Sequence, residues 1–353
     1  MFTHLHVHTE YSLLDGMSRM SQLMDRVKEL GQEAVAMTDH GALYGAIDFY
    51  REATKRGIKP IIGVEAYVAP GSRFGRERAD ASPYHLLMLA RNLQGYKNLI
   101  ALVTKANLEG YYYKPRVDRE LLQQHSAGIT VLSGCPSSEF HRKIQEGDRE
   151  GAIEVAKWYR EVFDGHYYLE VQDHGDEKFS RLNPVIADIG RELGIPVVAT
   201  NDSHYTYPHE AEAHDVLLCI GTNATVDQKE RFRFEGHGYY VKSEEEMLAL
   251  FPDNPEWVTN TQLVADECDL ELKFDRQLLP EPPVPPGMTS HEYLTKICNE
   301  GLRRRFEHVT PELQQRLDYE LDVLRQTGFT DYIFVVKEIA DFANQRGIRM
   351  GVR

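Results

Sequence analysis

The chain has 353 residues, of which 42% are hydrophobic and 27% charged, and its formal net charge is −15. This composition is typical of a globular protein with one large domain or two smaller ones. The acidic balance argues against nucleic-acid binding through a basic surface, and no apolar run approaches the roughly 20 residues of a membrane span. The four cysteines are scattered, so we expect no disulfide framework and a cytoplasmic location.

Short apolar runs alternate with helical patterns through the first 200 residues. Seven runs are typical of strands: THLHVH (3–8), AVAMT (34–38), PIIGV (60–64), HLLMLA (85–90), GITVLS (128–133), YYLEV (167–171) and PVVAT (196–200). Helical spacing lies between most of them, as in MSQLMDRVKELG, YGAIDFYREATKRG and REGAIEVAKWYREVF. Strands alternating with helices predict an α/β fold with a mainly parallel sheet, and seven runs favour a closed barrel.

From about residue 207 the pattern changes to helices and extended segments. Ser243, with Glu246 three residues later, predicts a capped helix start. The stretch LLPEPPVPPGMTS carries five prolines, which favours an extended linker. The predicted organisation is a first domain over 1–277, with a barrel core over about 1–206 and an extension over 207–277, then a linker over 278–290 and a helical segment over 291–353.

The first strand-like run carries two histidines at alternate positions. On a strand, His6 and His8 project from the same face, while Leu5 and Val7 point the other way. This pattern alone fits a solvated strand face and a metal site about equally. His4 is expected to pack or to support the pair rather than to bind an ion.

Further metal-competent side chains stand near the ends of other strand-like runs, where α/β folds form their active face. His85 stands at the start of its run and reaches that face only if its strand is antiparallel or the preceding loop dips inward. The candidate ligands are His6, His8, Asp15, His40, Glu65, His85, Cys135, Asp202 and His204. Nine ligands exceed the need of one tetrahedral ion, so we expect two or three divalent ions with Glu65 as a bridge. Imidazole and carboxylate suit zinc, manganese or iron.

A charge count at this cluster indicates an anionic substrate. Three carboxylates and a Cys135 thiolate carry about −4, and three divalent ions carry +6, which leaves about +2. A phosphate ester fits such a site, and the ions would activate water and stabilise the leaving oxygen. The cluster therefore reconciles an acidic protein with a phosphate substrate.

Several motifs resemble those of the PHP (polymerase and histidinol phosphatase) superfamily: HLHVHTEYSLLDG, MTDHGALYGA, KPIIGVEAYV, LSGC and ATNDSHY. Longer stretches, including GYKNLIALVTKANLEGYYYKPRVDRELL and LDYELDVLRQTGFTDYIFVVKEIADFA, resemble more closely the amino-terminal region of bacterial replicative DNA polymerase III α subunits. The resemblance covers nearly the whole chain.

This resemblance implies a distorted seven-stranded β/α barrel with a metal cluster at one end, followed by the helical start of the polymerase palm. Family members with a full ligand set are associated with metal-dependent 3′→5′ exonuclease or other phosphoesterase activity, and members with degraded ligands with inactive scaffolds. All nine positions carry ligand-competent residues here, with zinc, manganese, magnesium or iron as the expected ions. The implied partners are DNA at a single-stranded 3′ end or primer terminus, the rest of the polymerase III α chain and other replisome subunits.

The family continues into a palm with catalytic aspartates, whereas this sequence closes with RGIRMGVR. We therefore expect a fragment that does not extend a primer by itself. Lys114 and Arg116 in YYYKPRVD are candidate contacts to phosphate or single-stranded DNA, with Tyr111 to Tyr113 as stacking surfaces, although a solvated loop fits equally.

Two other functions remain open. One is a catalytically silent scaffold stabilised by metal, which supports the polymerase and its partners. The other is a free-standing small-molecule phosphatase, against which the palm-like sequence after residue 290 argues.

Overall fold

The computed structural model describes residues 1–274 and 279–351. The chain divides into two compact units, residues 1–272 and residues 273–353. Leu278 of the predicted linker lies outside the described residues, as do residues 275–277 of the predicted first domain and residues 352–353 of the predicted last segment. Residues 279–289 form no helix or strand. The predicted limits at 277 and 290 stay predictions.

The first unit is an α/β structure, as the alternation of runs predicts. Its strands are β1 (Ala34–Met37), β2 (Lys59–Val68), β3 (Tyr84–Ala90), β4 (Arg116–Val117), β5 (Ile129–Leu132), β6 (Tyr167–Val171) and β7 (Val197–Ala199). Its helices are α1 (Met20–Glu29), α2 (Ala46–Lys55), α3 (Leu93–Leu108), α4 (Arg119–Gln124), α5 (Glu139–Gln145), α6 (Arg149–Val162), α7 (Glu177–Leu193), α8 (Ala211–Thr222), α9 (Glu244–Leu250), α10 (Pro255–Thr259) and α11 (Thr261–Glu267).

The seven strands form one curled sheet. The strand order is β1-β2-β3-β5-β6-β7, and β4 pairs with β2 off this path. Strand β3 runs antiparallel to both β2 and β5, and the remaining pairs are parallel. The start of β3 therefore lies beside the carboxyl ends of the parallel strands. This is the orientation that His85 needs in order to reach the predicted site.

Residues 3–9, called the closing segment here, lie between β1 and the chain that follows β7. Backbone groups of the closing segment bond to Ala36 and Thr38 on one side and to Ser203 on the other, at 2.8–3.0 Å. The segment forms only one bridge with each neighbour, between His4 and Val35 and between Val7 and Ser203. It is therefore not the regular strand predicted over 3–8. The seventh strand is instead β4, which the sequence pattern did not reveal.

Apolar side chains cover both faces of the sheet. On β1 the residues alternate: Val35 and Met37 pack in the outer cluster with the helices, and Ala34 and Ala36 pack in a second, inner cluster. Helix α11 contributes to this inner cluster and accepts a hydrogen bond from Lys59, at the start of β2. Helix α11 thus packs near the start of β2, and the candidate ligands gather at the other ends of the parallel strands.

Two predicted helix boundaries depend on local chemistry that the structure contains. Gly31, directly after the C-cap of α1, has φ +66°, the left-handed conformation that favours glycine. Helix α9 begins with a capping box in which Ser243 and Glu246 bond each other's backbone N–H groups. Both helices therefore begin or end within a residue or two of the predicted positions.

The second unit is helical, as predicted. It contains α12 (Ser290–Arg305), α13 (Pro311–Thr327) and α14 (Thr330–Gln345). Leu294, Leu321 and Phe334 form its buried core, and the Thr289 and Thr310 side chains cap the first two helices. Within the described ranges of the chain, no helix combines the length and apolar character that a membrane span requires.

Candidate metal centre

The nine candidate ligands come from seven places in the first unit. His6 and His8 lie on the closing segment, and Asp15 lies in the turns that follow it. The others stand on or just after strands: His40 after β1, Glu65 within β2, His85 at the second position of β3, Cys135 after β5, and Asp202 and His204 after β7. Because the sheet is curled, side chains far apart in sequence meet in one cluster.

The carboxylate of Glu65 lies at the centre of this cluster. Its two oxygens lie close to five other candidate ligands: Nδ1 of His40 (2.7 Å), Nδ1 of His85 (2.9 Å), Nε2 of His6 (3.5 Å), Sγ of Cys135 (3.5 Å) and Nε2 of His8 (3.7 Å). Glu65 is also buried, at 1% exposed. One buried carboxylate in contact with so many donor groups has the arrangement of a bridging ligand.

A second carboxylate, that of Asp202, gathers three imidazoles. Its Oδ1 lies 3.2 Å from the Nε2 atoms of His6, His8 and His204. Asp202 has φ +43°, in the left-handed region that aspartate tolerates better than most residues. The next residue, Ser203, bonds to the closing segment. These bonds hold the strained backbone in place beside the two histidines of that segment.

Asp15 joins the cluster from another side. Its Oδ2 lies 2.5 Å from Nε2 of His40, and its Oδ1 lies 3.6 Å from Nδ1 of His204. Its backbone carbonyl accepts a hydrogen bond from Nε2 of His214 at 2.7 Å. His214, on α8, lies outside the predicted set, and it is buried beside the cluster.

The donor atoms fit a group of divalent ions. Several buried polar atoms of the cluster have no hydrogen-bond partner: Nε2 of His6, Nε2 of His8, Nδ1 of His40, Oε2 of Glu65, Oδ1 of Asp202 and Nδ1 of His204. Such atoms are costly to bury unless a ligand satisfies them. Four groups of three residues have donor atoms within 4.8 Å of one another: His6–His8–Asp202, His8–His40–Glu65, Asp15–His204–His214 and Glu65–His85–Cys135.

Without an ion, oppositely charged side chains within the cluster stabilise each other's charged forms and shift each other's pKa values. Burial opposes ionisation of Glu65, but His85 and His40 outweigh it and hold the pKa of Glu65 well below its usual value. Burial likewise opposes the proton on His40, but Glu65 and Asp15 raise the pKa of His40 to about 10. Burial, with Glu65 and Asp202 nearby, raises the pKa of the Cys135 thiol well above its usual value. Divalent cations would supply the positive charge that protons supply here.

Two buried carboxylates outside the predicted set hold the ligands in position. Glu170 of β6 accepts a hydrogen bond from Nδ1 of His6 at 2.7 Å. The carboxylate of Asp39 accepts a hydrogen bond from the hydroxyl of Ser12. The same Ser12 Oγ lies 3.1 Å from Nδ1 of His8. Glu170 had a sequence signal, because a charged residue in the middle of the apolar run YYLEV must find a partner when buried.

A cavity of about 770 Å³ opens over the cluster. Seven of the nine candidate ligands line it: Asp15, His40, Glu65, His85, Cys135, Asp202 and His204. The other two, His6 and His8, are fully buried. Its walls carry apolar and aromatic side chains together with Lys114. Solvent and a substrate can therefore reach the candidate ligands from one side.

The two predicted substrate contacts differ in accessibility. Lys114 is exposed and lines the cavity. Arg116 is fully buried, and its guanidinium donates to the carbonyl oxygens of Gly110, Asp80, Arg73 and Gly75. The structure gives no support to the predicted substrate contact of Arg116, because four of its five guanidinium N–H groups are directed at backbone carbonyls.

Comparison with known proteins shows which families parts of the chain match. Residues 4–174 match the PHP domain family, and residues 292–353 match the bacterial DNA polymerase III alpha NTPase domain. A two-domain protein from Bacteroides vulgatus that contains a predicted PHP-like metal-dependent phosphoesterase is 13% identical, with a TM-score of 0.36, and the match covers 58% of this chain and 52% of that one. At this TM-score the likeness carries no argument.

The matches to individual proteins are more specific than the matches to family models. DNA polymerase III subunit alpha of Borreliella burgdorferi is 41% identical over 99% of this chain and 31% of its own length. The subunit from Treponema pallidum is 42% identical over 99% of this chain and 30% of its own length. Residues 4–174 thus match the PHP domain family, and over 99% of its length the chain is similar to bacterial DNA polymerase III α subunits, which confirms the resemblance seen in its motifs. It spans about a third of the length of these relatives.

Proposed function

We propose that the nine candidate ligands bind two or three divalent ions and that the first unit hydrolyses phosphodiester bonds, removing nucleotides from the 3′ end of DNA. The observation that carries this proposal is the position of Glu65, whose carboxylate contacts five metal-competent side chains at the floor of an open cavity. Such ions, whether zinc, manganese, magnesium or iron, would supply an activated water and neutralise charge on the leaving oxygen.

The protein's own residues hold this site and limit its access. Asp202 and Glu65 gather the imidazoles, and Glu170 orients His6 through its Nδ1 atom. Seven of the nine candidate ligands line the cavity that a substrate can enter, whereas His6 and His8 are fully buried. Bound ions would make the floor of the cavity positively charged. The floor would then attract the phosphate of the substrate although the protein as a whole is acidic.

The similarity to DNA polymerase III α subunits supports DNA as the substrate. As further parts of the same proposal, the chain works in the cytoplasm, next to the rest of a polymerase III α chain and other replisome subunits.

A metal-stabilised scaffold is the second candidate. The observation in its favour is that the candidate ligands join the closing segment to the chain after β7, so that bound ions would stabilise the curled sheet even without turnover. Hydrolysis separates the two functions, because both predict metal-linked stability.

The deciding experiment combines elemental analysis of the purified chain with hydrolysis of a 3′-labelled single-stranded oligonucleotide. We expect bound divalent metal, and manganese- or zinc-dependent release of the labelled nucleotide. Glu65→Gln should abolish both metal retention and hydrolysis. Glu154→Gln is the matched control, since Glu154 lies on the exposed face of α6 and pairs with Lys157. Full metal content without hydrolysis would favour the scaffold.

A parallel assay on a phosphomonoester separates the exonuclease from a small-molecule phosphatase. We expect the oligonucleotide to be turned over with a much higher kcat/KM than the monoester. The reverse ranking would contradict the proposed substrate class.

A further inference from the structure

Four aromatic side chains stand exposed around the cavity over the candidate ligands. Tyr44, Tyr111, Tyr113 and Phe232 line it, and each is between 55% and 70% exposed; they are called the mouth rings here. They come from three segments, which lie between β1 and α2, between α3 and β4, and between α8 and α9. Single exposed rings are ordinary, but several that converge on one concave site mark a binding surface.

The loop that carries two of the mouth rings is anchored from inside the protein. The buried Arg116 guanidinium donates to four backbone carbonyls at 2.8–3.0 Å, including that of Gly110 at the start of the loop. The N–H of Tyr112 donates to the carbonyl of Lys114 at 3.1 Å. Tyr113, between them, has φ +59°. A strained, exposed tyrosine on an anchored turn is a contact surface that is already ordered before a ligand arrives.

One ammonium group stands between the mouth rings and the candidate ligands. Nζ of Lys114 lies 5.2 Å from the ring centroid of Tyr67. That ring in turn lies against the imidazoles of His40 and His85, with centroids 5.9 and 5.3 Å apart. Among the described residues that line the cavity, Lys114 is the only lysine or arginine, and each carboxylate belongs to the candidate ligand set. The walls therefore offer aromatic faces and one cation.

This combination suits unpaired nucleotides. Aromatic faces stack on bases whatever their sequence, and a lysine beside them meets the backbone phosphate. Bases inside a duplex have their faces already stacked, and a small phosphate ester without a base would leave the mouth rings unused.

We propose that the mouth rings form a stacking subsite for the unpaired bases at a 3′ end, and that Lys114 holds the phosphate between the last two nucleotides. This inference rests on the proposed function, because it places the scissile phosphate at the candidate metal ligands. It adds the means by which a single-stranded end is preferred over a paired one.

The variants remove rings without disturbing the backbone. Phe232→Ala and Tyr111→Ala each remove one ring, and Tyr113→Asn removes the ring at a left-handed position that asparagine tolerates. Tyr111→Phe keeps the ring. Tyr319→Ala is the matched control, since Tyr319 is a tyrosine of similar exposure (60%) on α13.

The measurement is the Kd of the full chain, with Mn²⁺ present, for a 5′-labelled decathymidine whose 3′ linkages resist hydrolysis. A second oligonucleotide lacks the bases of its last three nucleotides. We expect each ring removal to weaken binding of the first oligonucleotide about tenfold, with less than a twofold effect on the second. Tyr111→Phe and Tyr319→Ala should bind both as the wild type does.

The proposal is overturned if the ring variants bind the first oligonucleotide as the wild type does, or if they lose affinity equally for both. Equal losses would mean that the rings contact the backbone and not the bases. Failure of the wild type to hydrolyse an unmodified oligonucleotide would contradict the proposed function alone, because the binding comparison does not depend on cleavage.

Discussion

The Glu170 carboxylate accepts a hydrogen bond from Nδ1 of His6 at 2.7 Å, and neither side chain is exposed. Gln172 donates to the same carboxylate oxygen at 2.9 Å. With Nδ1 of His6 engaged as a donor, its Nε2 is the nitrogen that faces Asp202 and Glu65. A carboxylate behind a histidine in this way fixes the imidazole tautomer and raises its basicity as a ligand.

Glu170→Gln should therefore weaken metal binding by about 10- to 100-fold while the fold is kept. The amide still fills the space, but it no longer offers a negative charge to the His6 N–H. Titration of the chain with Mn²⁺ or Zn²⁺ against a chelating indicator measures the affinity. An affinity equal to that of Glu154→Gln would show that Glu170 has no such role.

Removal of metal should lower the melting temperature of the first unit. An ion at 100 times its Kd stabilises the native state by about 2.7 kcal/mol, which corresponds to a shift of at least about 5 °C for a unit of this size. Thermal unfolding with EDTA and with added Mn²⁺ measures the difference. The shift should vanish in Glu65→Gln and persist in Glu154→Gln.

Substitutions at Asp202 should separate the loss of a ligand from the loss of a backbone conformation. Both Asp202→Asn and Asp202→Ala remove the carboxylate, so both should lose the stabilisation by metal. Alanine is strained at φ +43°, so Asp202→Ala should be less stable than Asp202→Asn by about 1 kcal/mol or more. Equal denaturant midpoints for the two metal-free variants would refute the strain argument.

His141 should give the first unit a pH-dependent stability. Burial lowers the pKa of His141 to about 4 from the usual 6.5. Between pH 6.5 and 4 the unfolded chain binds a proton that the native state does not, so the free energy of unfolding falls as the pH is lowered through this window. It should be unaffected by this residue above pH 6.5.

The difference between the wild type and His141→Gln isolates this effect. Relative to the variant, the wild type should lose about 3 kcal/mol between pH 6.5 and 4. Urea unfolding at several pH values measures it. A difference that does not change across this range would contradict a neutral, buried His141.

Lys114 and Arg116 should respond differently to salt in DNA binding. If Lys114 contacts a phosphate, Lys114→Met should reduce the slope of log K against log salt by about 0.7. Arg116→Met should leave the slope unchanged but cost about 3 kcal/mol of stability, because buried carbonyls lose their donor. A smaller slope in Arg116→Met, at a temperature where the variant is folded, would support Arg116 as a DNA contact.

Much of this architecture can be predicted from the sequence, because strands and the side chains directly after them depend on residues that are neighbours in the chain. The composition of runs such as YYLEV predicts strands, and side chains directly after a strand, such as His40 and Asp202, lie at the edge of the sheet where the candidate ligands gather. His85 was predictable only conditionally, since the direction of β3 depends on its pairing with β2 and β5. Strand direction is a tertiary property that periodicity does not contain.

Three residues whose surroundings the sequence did not indicate have a physical cause in common. Arg116 stands beside Lys114 in the same basic stretch, yet its guanidinium meets four carbonyls from two loops. Charge in the sequence does not say whether it faces water or backbone. His214 and Glu170 were likewise assigned no role, because their contacts with Asp15 and His6 join positions far apart in the chain.

The closing segment also imposes an order in time. Val7 pairs with Ser203, which follows it by 203 − 7 = 196 positions. At a translation rate of about 5–20 residues per second, the nascent segment waits roughly 10 s or longer before its partner emerges from the ribosome. Until then the curl stays open at the very place where Asp202 must meet His6 and His8. The contacts that complete the cluster thus join residues that are synthesised far apart in time, and a chain that ends before residue 202 can complete neither the curl nor the cluster.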